Sequence, residues 1–136
     1  MRRRKRSLLL ALLVSLGPIT GVAAQALDGA TLYAKNCAAC HQLGGTGISG
    51  AFPALQGNLL VQSAPEILIA TVLKGRGGMP TFAAAIDDPT LALVLSYIRQ
   101  AWGNQAGAIN ALQVGTVRSL SNAGEAVQPE QPSNVH

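Results

Sequence analysis

Aromatic side chains and charge are both scarce in this 136-residue chain, where one Trp, two Tyr and two Phe make up 4% and charged residues only 12%. A helical core built of protein alone would therefore be thin. Repeats are absent, and the length allows one small domain, which excludes a multidomain enzyme. The longest apolar stretch, Leu8 to Leu16, is interrupted by Ser15 and falls short of the roughly 20 residues a spanning helix needs. Only two cysteines are present, Cys37 and Cys40, and only two histidines, His41 and His136. With no cysteine near the expected processing site, a lipid-modified N-terminal cysteine is excluded.

The formal net charge of +4 is misleading, because five of the ten Lys and Arg lie in Arg2 to Arg6. This cationic head, the apolar stretch, the Gly17-Pro18 breaker and the small residues around Ala24 and Ala26 have the layout of a secretory signal peptide over residues 1–26. Cleavage after Ala26 is favoured over cleavage after Ala24, and an uncleaved anchor is the competing reading. Arg2 to Arg4 superficially suggest export of folded cargo, but the surrounding signature is poor. Beyond residue 26, five basic residues (Lys35, Lys74, Arg76, Arg99, Arg118) face six acidic ones. Such a balance leaves no footprint for a phosphate backbone and excludes nucleic acid as a partner. A periplasmic mature chain without a transmembrane span is expected.

Apolar residues recur at helical spacing in three places. Asp28 is placed to cap a first helix through Leu32 and Tyr33 towards Cys37. Ser63 and Glu66 form a capping-box pattern before Ile67, Leu68, Ile69, Val72 and Leu73, with Gly75 ending that helix. Asp88 as cap and Pro89 at the first position precede a stripe of Leu91, Val94, Leu95, Ile98 and Trp102. Between the first two helices, His41 to Gly57 carries five glycines and one proline and reads as an irregular loop. A loop that long in so small a domain points to a large buried cofactor filling the middle.

Cys37-Ala38-Ala39-Cys40-His41 is C-x-x-C-H, the attachment signature of a c-type haem. Two thiols three positions apart reach the two vinyl groups along one side of a porphyrin, and the next imidazole is held beneath the iron. Three rivals compete. A thioredoxin-like dithiol would need a preceding strand; zinc would need a fourth ligand, with only His136 in reserve; a structural disulfide would close a very tight loop. Met79, the one methionine past Met1, lies in Gly75-Arg76-Gly77-Gly78-Met79-Pro80 and is expected as the sixth ligand. Its glycines let backbone pass close to a flat ring, and Pro80 biases Met79 towards extended geometry.

On these residues the chain resembles the class I c-type cytochromes from about Leu27 to Trp102. Gly29, Tyr33 and Tyr97 stand where that family packs its first helix against its last. The resemblance implies that the carbonyl of Pro53, twelve residues past His41, accepts from the imidazole Nδ1. It also implies an all-α fold of about three to five helices around one haem c, covalently attached through Cys37 and Cys40. The segments Met79-Pro80-Thr81-Phe82 and Ala101-Trp102-Gly103-Asn104 are similar to a narrower group serving periplasmic dehydrogenases. The haem domain is expected over 27–104, an extension with a short helix over 105–120, and a disordered tail over 121–136.

With His41 and Met79 on the iron there is no vacant position for a substrate, so the expected function is single-electron transfer and not catalysis. Electrons would pass from a dehydrogenase of alcohol, aldehyde or sugar type towards a terminal oxidase or other respiratory acceptor, both redox protein partners. Two alternatives stay open: a dedicated subunit of one dehydrogenase complex that uses its tail as a docking arm, and a haem enzyme or sensor with a labile Met ligand. Ala38-Ala39, Ile48 to Phe52 and Gly77 to Phe82 are small and apolar, which predicts docking that depends weakly on salt.

Overall fold

The computed structural model describes residues 28–126, so the expected signal peptide and the last ten residues lie outside the described part. The fold is all-α, with α1 (Gly29–Asn36), α2 (Ala38–His41), α3 (Pro65–Lys74), α4 (Asp88–Gln100) and α5 (Ala111–Ala126). No strand occurs among the described residues; the pairs Ile48–Phe52 and Arg76–Met79 form isolated bridges.

Local signals set the helix ends. The Asp28 carboxylate accepts from the Ala30 amide and starts α1 as expected. At α4 the cap is Asp87 and not Asp88: the Asp87 carboxylate accepts from the Thr90 amide at 2.8 Å. Pro89 is tolerated one position further in, because the amide it lacks has no partner in the first turn. The hydroxyl and amide of Thr90, then Arg118, hold the Asp87 carboxyl below its ordinary range. The Ser63 capping box does not form. Ala64 occupies the cap, Pro65 begins the helix, and the Ser63 hydroxyl donates backwards to the Leu60 carbonyl at 2.7 Å. Gly75 ends α3.

One core holds the helices together. Leu91, Val94, Leu95 and Ile98 of α4 are buried with Leu32 and Tyr33 of α1 and Leu68, Ile69 and Leu73 of α3. α1 crosses α4 at Gly29, where a Cβ would lie 2.5 Å from the Leu93 carbonyl oxygen and 2.9 Å from the Tyr97 Cβ. Beside this crossing Tyr33, Tyr97 and Trp102 form a three-ring cluster with centroids 5.0 to 5.5 Å apart. Trp102, expected on the α4 stripe, lies past the end of the helix with φ of 52° and folds back onto these rings.

The extension is larger and more firmly packed than expected. α5 runs to Ala126, beyond the boundary placed at residue 120, and contributes buried Val114 and Val117 to the same core as Ile109. It packs on α3 and α4, so residues 111–126 do not form a free docking arm. The physical reason is the apolar face that Val114 and Val117 present, which only α3 and α4 are placed to cover.

Two buried polar side chains, neither given a structural role from the sequence, tie the long loop between α2 and α3 to α4. Asn104 donates to the Leu55 and Ile98 carbonyls and accepts from the Gly57 amide. Arg99, 5% exposed, donates to the carbonyls of Val61, Ser63 and Gly107. Together they satisfy loop carbonyls and an amide that no helix or strand serves.

Candidate functional site

The sequence between α1 and α2 places both cysteines and the histidine on a single turn. Cys37 is at once the C-cap of α1 and the N-cap of α2, and its carbonyl accepts from the amides of Cys40 and His41 at 3.2 and 3.0 Å. The two thiols are free and partly exposed, so the rival disulfide is not formed. Burial, and then the neighbouring Cys40, push the Cys37 thiol up to about 11. Among the described residues no three His, Cys, Asp or Glu side chains converge to hold a metal ion, and α1 rather than a strand precedes the motif.

His41 Nδ1 lies 2.9 Å from the Pro53 carbonyl oxygen. A carbonyl can only accept, so Nδ1 carries a proton, which leaves Nε2 as the ring nitrogen available to ligate. Gly47 makes this contact possible. Its φ is +63°, and a Cβ there would stand 2.4 Å from the Phe52 carbonyl oxygen and 2.6 Å from that of Pro53. Any side chain would push the acceptor off the imidazole. Mutual amide-to-carbonyl bonds of Ile48 and Phe52, both 2.8 Å, close the loop that carries Pro53. Gly47 was visible in the sequence only as one of several loop glycines.

Met79 is held separately, on a loop built from the end of α3. Gly75, φ +75°, turns the chain so tightly that a Cβ would meet the Met79 carbonyl oxygen at 2.5 Å. Arg76 and Met79 exchange amide-to-carbonyl bonds of 3.2 and 3.0 Å. The Thr81 hydroxyl donates to the Leu73 carbonyl, and the Phe82 amide donates to that of Val72. Met79 itself is half-buried.

Tyr33 closes the back of the motif turn, its hydroxyl donating to the Gln42 carbonyl at 2.6 Å. Burial first, then Cys37 and Tyr97, push its pKa up to about 12. The folded value lies above that of the unfolded chain, about 10. The associated stability is therefore complete below pH 10 and is lost as pH rises through 12. Wild type is expected to lose more stability than Tyr33→Phe between pH 9 and pH 12, because only wild type carries the buried phenol. Denaturant midpoints across that range check it, and parallel declines would refute it.

The donor set fits a covalently attached haem: two unpaired thiols on one turn, then an imidazole whose tautomer is fixed with Nε2 free. Comparison with known proteins agrees. The family described as cytochrome c oxidase, cbb3-type, subunit III matches residues 24–98. Cytochrome c-552 of Thermus thermophilus is 38% identical over 116 residues, covering 74% of each chain. The cytochrome c subunit of the quinone alcohol dehydrogenase of Gluconobacter oxydans is 33% identical over 113 residues, 71% of this chain and 24% of that protein. The gluconate 2-dehydrogenase cytochrome c subunit of Pantoea cypripedii is 34% identical over 117 residues, 76% of this chain and 26% of that protein. The chain thus spans about a quarter of each dehydrogenase subunit and about three quarters of cytochrome c-552.

Proposed function

The chain belongs to the c-type cytochromes of class I, and from that membership we propose a periplasmic carrier that takes electrons from a dehydrogenase and passes them towards an oxidase or another respiratory acceptor. In this reading residues 1–26 direct export, and the chain is not an enzyme. Cys37 and Cys40 hold the haem by thioethers, and His41 and Met79 ligate the iron. The single observation that carries the reading is the 2.9 Å contact of His41 Nδ1 with the Pro53 carbonyl, immediately after a turn bearing two free thiols.

A bound haem supplies one reversible electron. The residues around it limit what else can happen. The Pro53 carbonyl holds the imidazole orientation and raises the donor strength of Nε2. Met79, on the loop that leaves α3 at Gly75, would supply a thioether to the iron and so keep water and exogenous ligands from it. Thioether ligation in apolar surroundings disfavours the extra charge of the oxidised state and raises the potential relative to bis-imidazole ligation. Visible spectra of the purified protein, oxidised and reduced, test the assignment. Sharp low-spin bands with the weak far-red sulfur-to-ferric band support it, and a high-spin spectrum would overturn it.

The partner surface follows from charge. Residues 36–65 contain no Asp, Glu, Lys or Arg. Docking through it gains little from electrostatic steering. Raising ionic strength from about 0.01 to about 0.15 M shortens the Debye length from about 30 to about 8 Å. Over that range the electron-transfer rate from a purified dehydrogenase is expected to change by less than about twofold. A steep fall in stopped-flow rates would place the contact on charged residues instead.

A further inference from the structure

The loop that carries Met79 leaves α3 at Gly75 and is fastened back to α3 just after Met79, through the Thr81 hydroxyl on the Leu73 carbonyl and the Phe82 amide on that of Val72. Its far end is held by a different element. From α5, the Arg118 guanidinium spans three acceptors in the six residues after Phe82. Its Nε donates to the Asp88 carboxylate at 2.7 Å, one terminal nitrogen to the Ile86 carbonyl at 2.8 Å, and the other to the Ala83 carbonyl. Between these points the Ala85 and Ile86 amides fold back onto the Phe82 carbonyl, so a pull at one end is felt at the other.

The fit between α5 and this segment is close. At Gly115, one helical turn before Arg118, an added Cβ would lie 2.9 Å from Asp88 Oδ2. Any side chain there displaces the carboxylate that Arg118 grips. The ion pair is partly exposed, at 20% for Arg118 and 32% for Asp88, and by itself carries little energy. The two carbonyl acceptors give it a different role. A planar guanidinium with fixed donor directions sets the relative positions of three groups on one loop, which a flexible ammonium cannot do.

From this we infer that Arg118 is a positioning residue for Met79: it latches the distal end of the ligand loop to α5 and thereby keeps the thioether in place. The inference rests on Met79 being the sixth ligand. Thr81 and Phe82 each hold the loop to α3 by one hydrogen bond, and the Arg118 contacts just beyond them restrain the same segment, so less entropy is left to lose when the sulfur binds. Removing the latch shifts the balance towards the ligand-off state. α5, absent from the expected minimal domain, thus bears on the chemistry as well as on stability.

Imidazole binding to the ferric holoprotein reads that balance directly, since this neutral ligand enters only when Met79 has left. Arg118→Ala is expected to tighten apparent imidazole binding about tenfold, equivalent to about 1.4 kcal/mol. Gly115→Ala, which keeps the charge, should shift it the same way by a smaller factor, and Arg118→Lys should fall between Arg118→Ala and wild type. Val114→Ala on the same helix provides the control. It thins the α5 packing while leaving Arg118 and its acceptors in the sequence, and should leave imidazole affinity within about twofold of wild type. Arg118→Ala binding imidazole like wild type, or Val114→Ala binding it as tightly as Arg118→Ala, would overturn the inference. Equal affinities for wild type and Met79→Ala would instead overturn the ligand assignment beneath it.

Discussion

Met79→Ala is expected to turn a closed electron carrier into a haem protein that binds small exogenous ligands. The far-red band should vanish, the ferric spectrum should move towards high spin, and the potential should fall, because thioether ligation is what raises it. A ligand that must wait for Met79 to leave sees only the fraction of molecules in which it has left. If that fraction is about one in a hundred, removing the side chain tightens apparent binding about a hundredfold. The fold should survive. Met79 is half-buried and lies outside the cluster formed by Leu32, Tyr33, Leu91 and Leu95. The loop is shaped by Gly75, by the Arg76–Met79 backbone bonds and by the Thr81 hydroxyl, all of which alanine at 79 leaves intact. Spectral titration with imidazole checks the expectation, and unchanged binding would mean that Met79 was never on the iron.

What could be read in advance depended on whether the signal was local. Cys37, Cys40 and His41 are adjacent in the chain, and a helical turn brings them together whatever the tertiary structure does. The α4 stripe and the caps at Asp28 and Gly75 are equally local. Gly29, Tyr33 and Tyr97 needed the family template, because a glycine at a helix start reveals nothing until the facing Leu93 carbonyl is known to be 2.5 Å from its missing side chain. Pro53 needed it as well, since its carbonyl reaches His41 across twelve residues.

Two misreadings arose where alternatives differ by a single residue. Asp87 and Asp88 can both cap a helix, and the preference for proline at the first position favoured Asp88. Ser63 was well placed for a capping box, but the chain before it already turns, and its hydroxyl satisfies Leu60 instead. The polar, charged side chains that organise the molecule were the least legible. Arg99, Asn104 and Arg118 act on carbonyls, and nothing in a sequence marks which carbonyls lack a partner.

Arg99 accordingly gives the largest expected loss of stability. Its guanidinium is 5% exposed with no carboxylate paired to it among the described residues, and Nε and one terminal nitrogen bind Gly107, Val61 and Ser63 over distances of 2.6 to 2.9 Å. Val61 and Ser63 lie more than thirty residues before it, so this one side chain attaches the end of the uncharged loop to α4. Arg99→Met keeps most of the volume while removing the charge, which separates two opposing effects. Relief of an unpaired buried cation is favourable, whereas three carbonyls lose their donor at about 1 to 3 kcal/mol for each that stays dry. Rehydration of the Gly107 carbonyl, on a more exposed strand of chain, limits the sum, and a net loss of about 3 to 5 kcal/mol is expected. Arg99→Lys should recover only part, because an ammonium cannot address carbonyls on two separate segments at once. For a domain of this size each kcal/mol lowers Tm by about 4 to 8 °C. Calorimetry on the haem-loaded protein would therefore show a drop far outside error, and a neutral Arg99→Met would mean that those carbonyls find water as readily as they find Arg99.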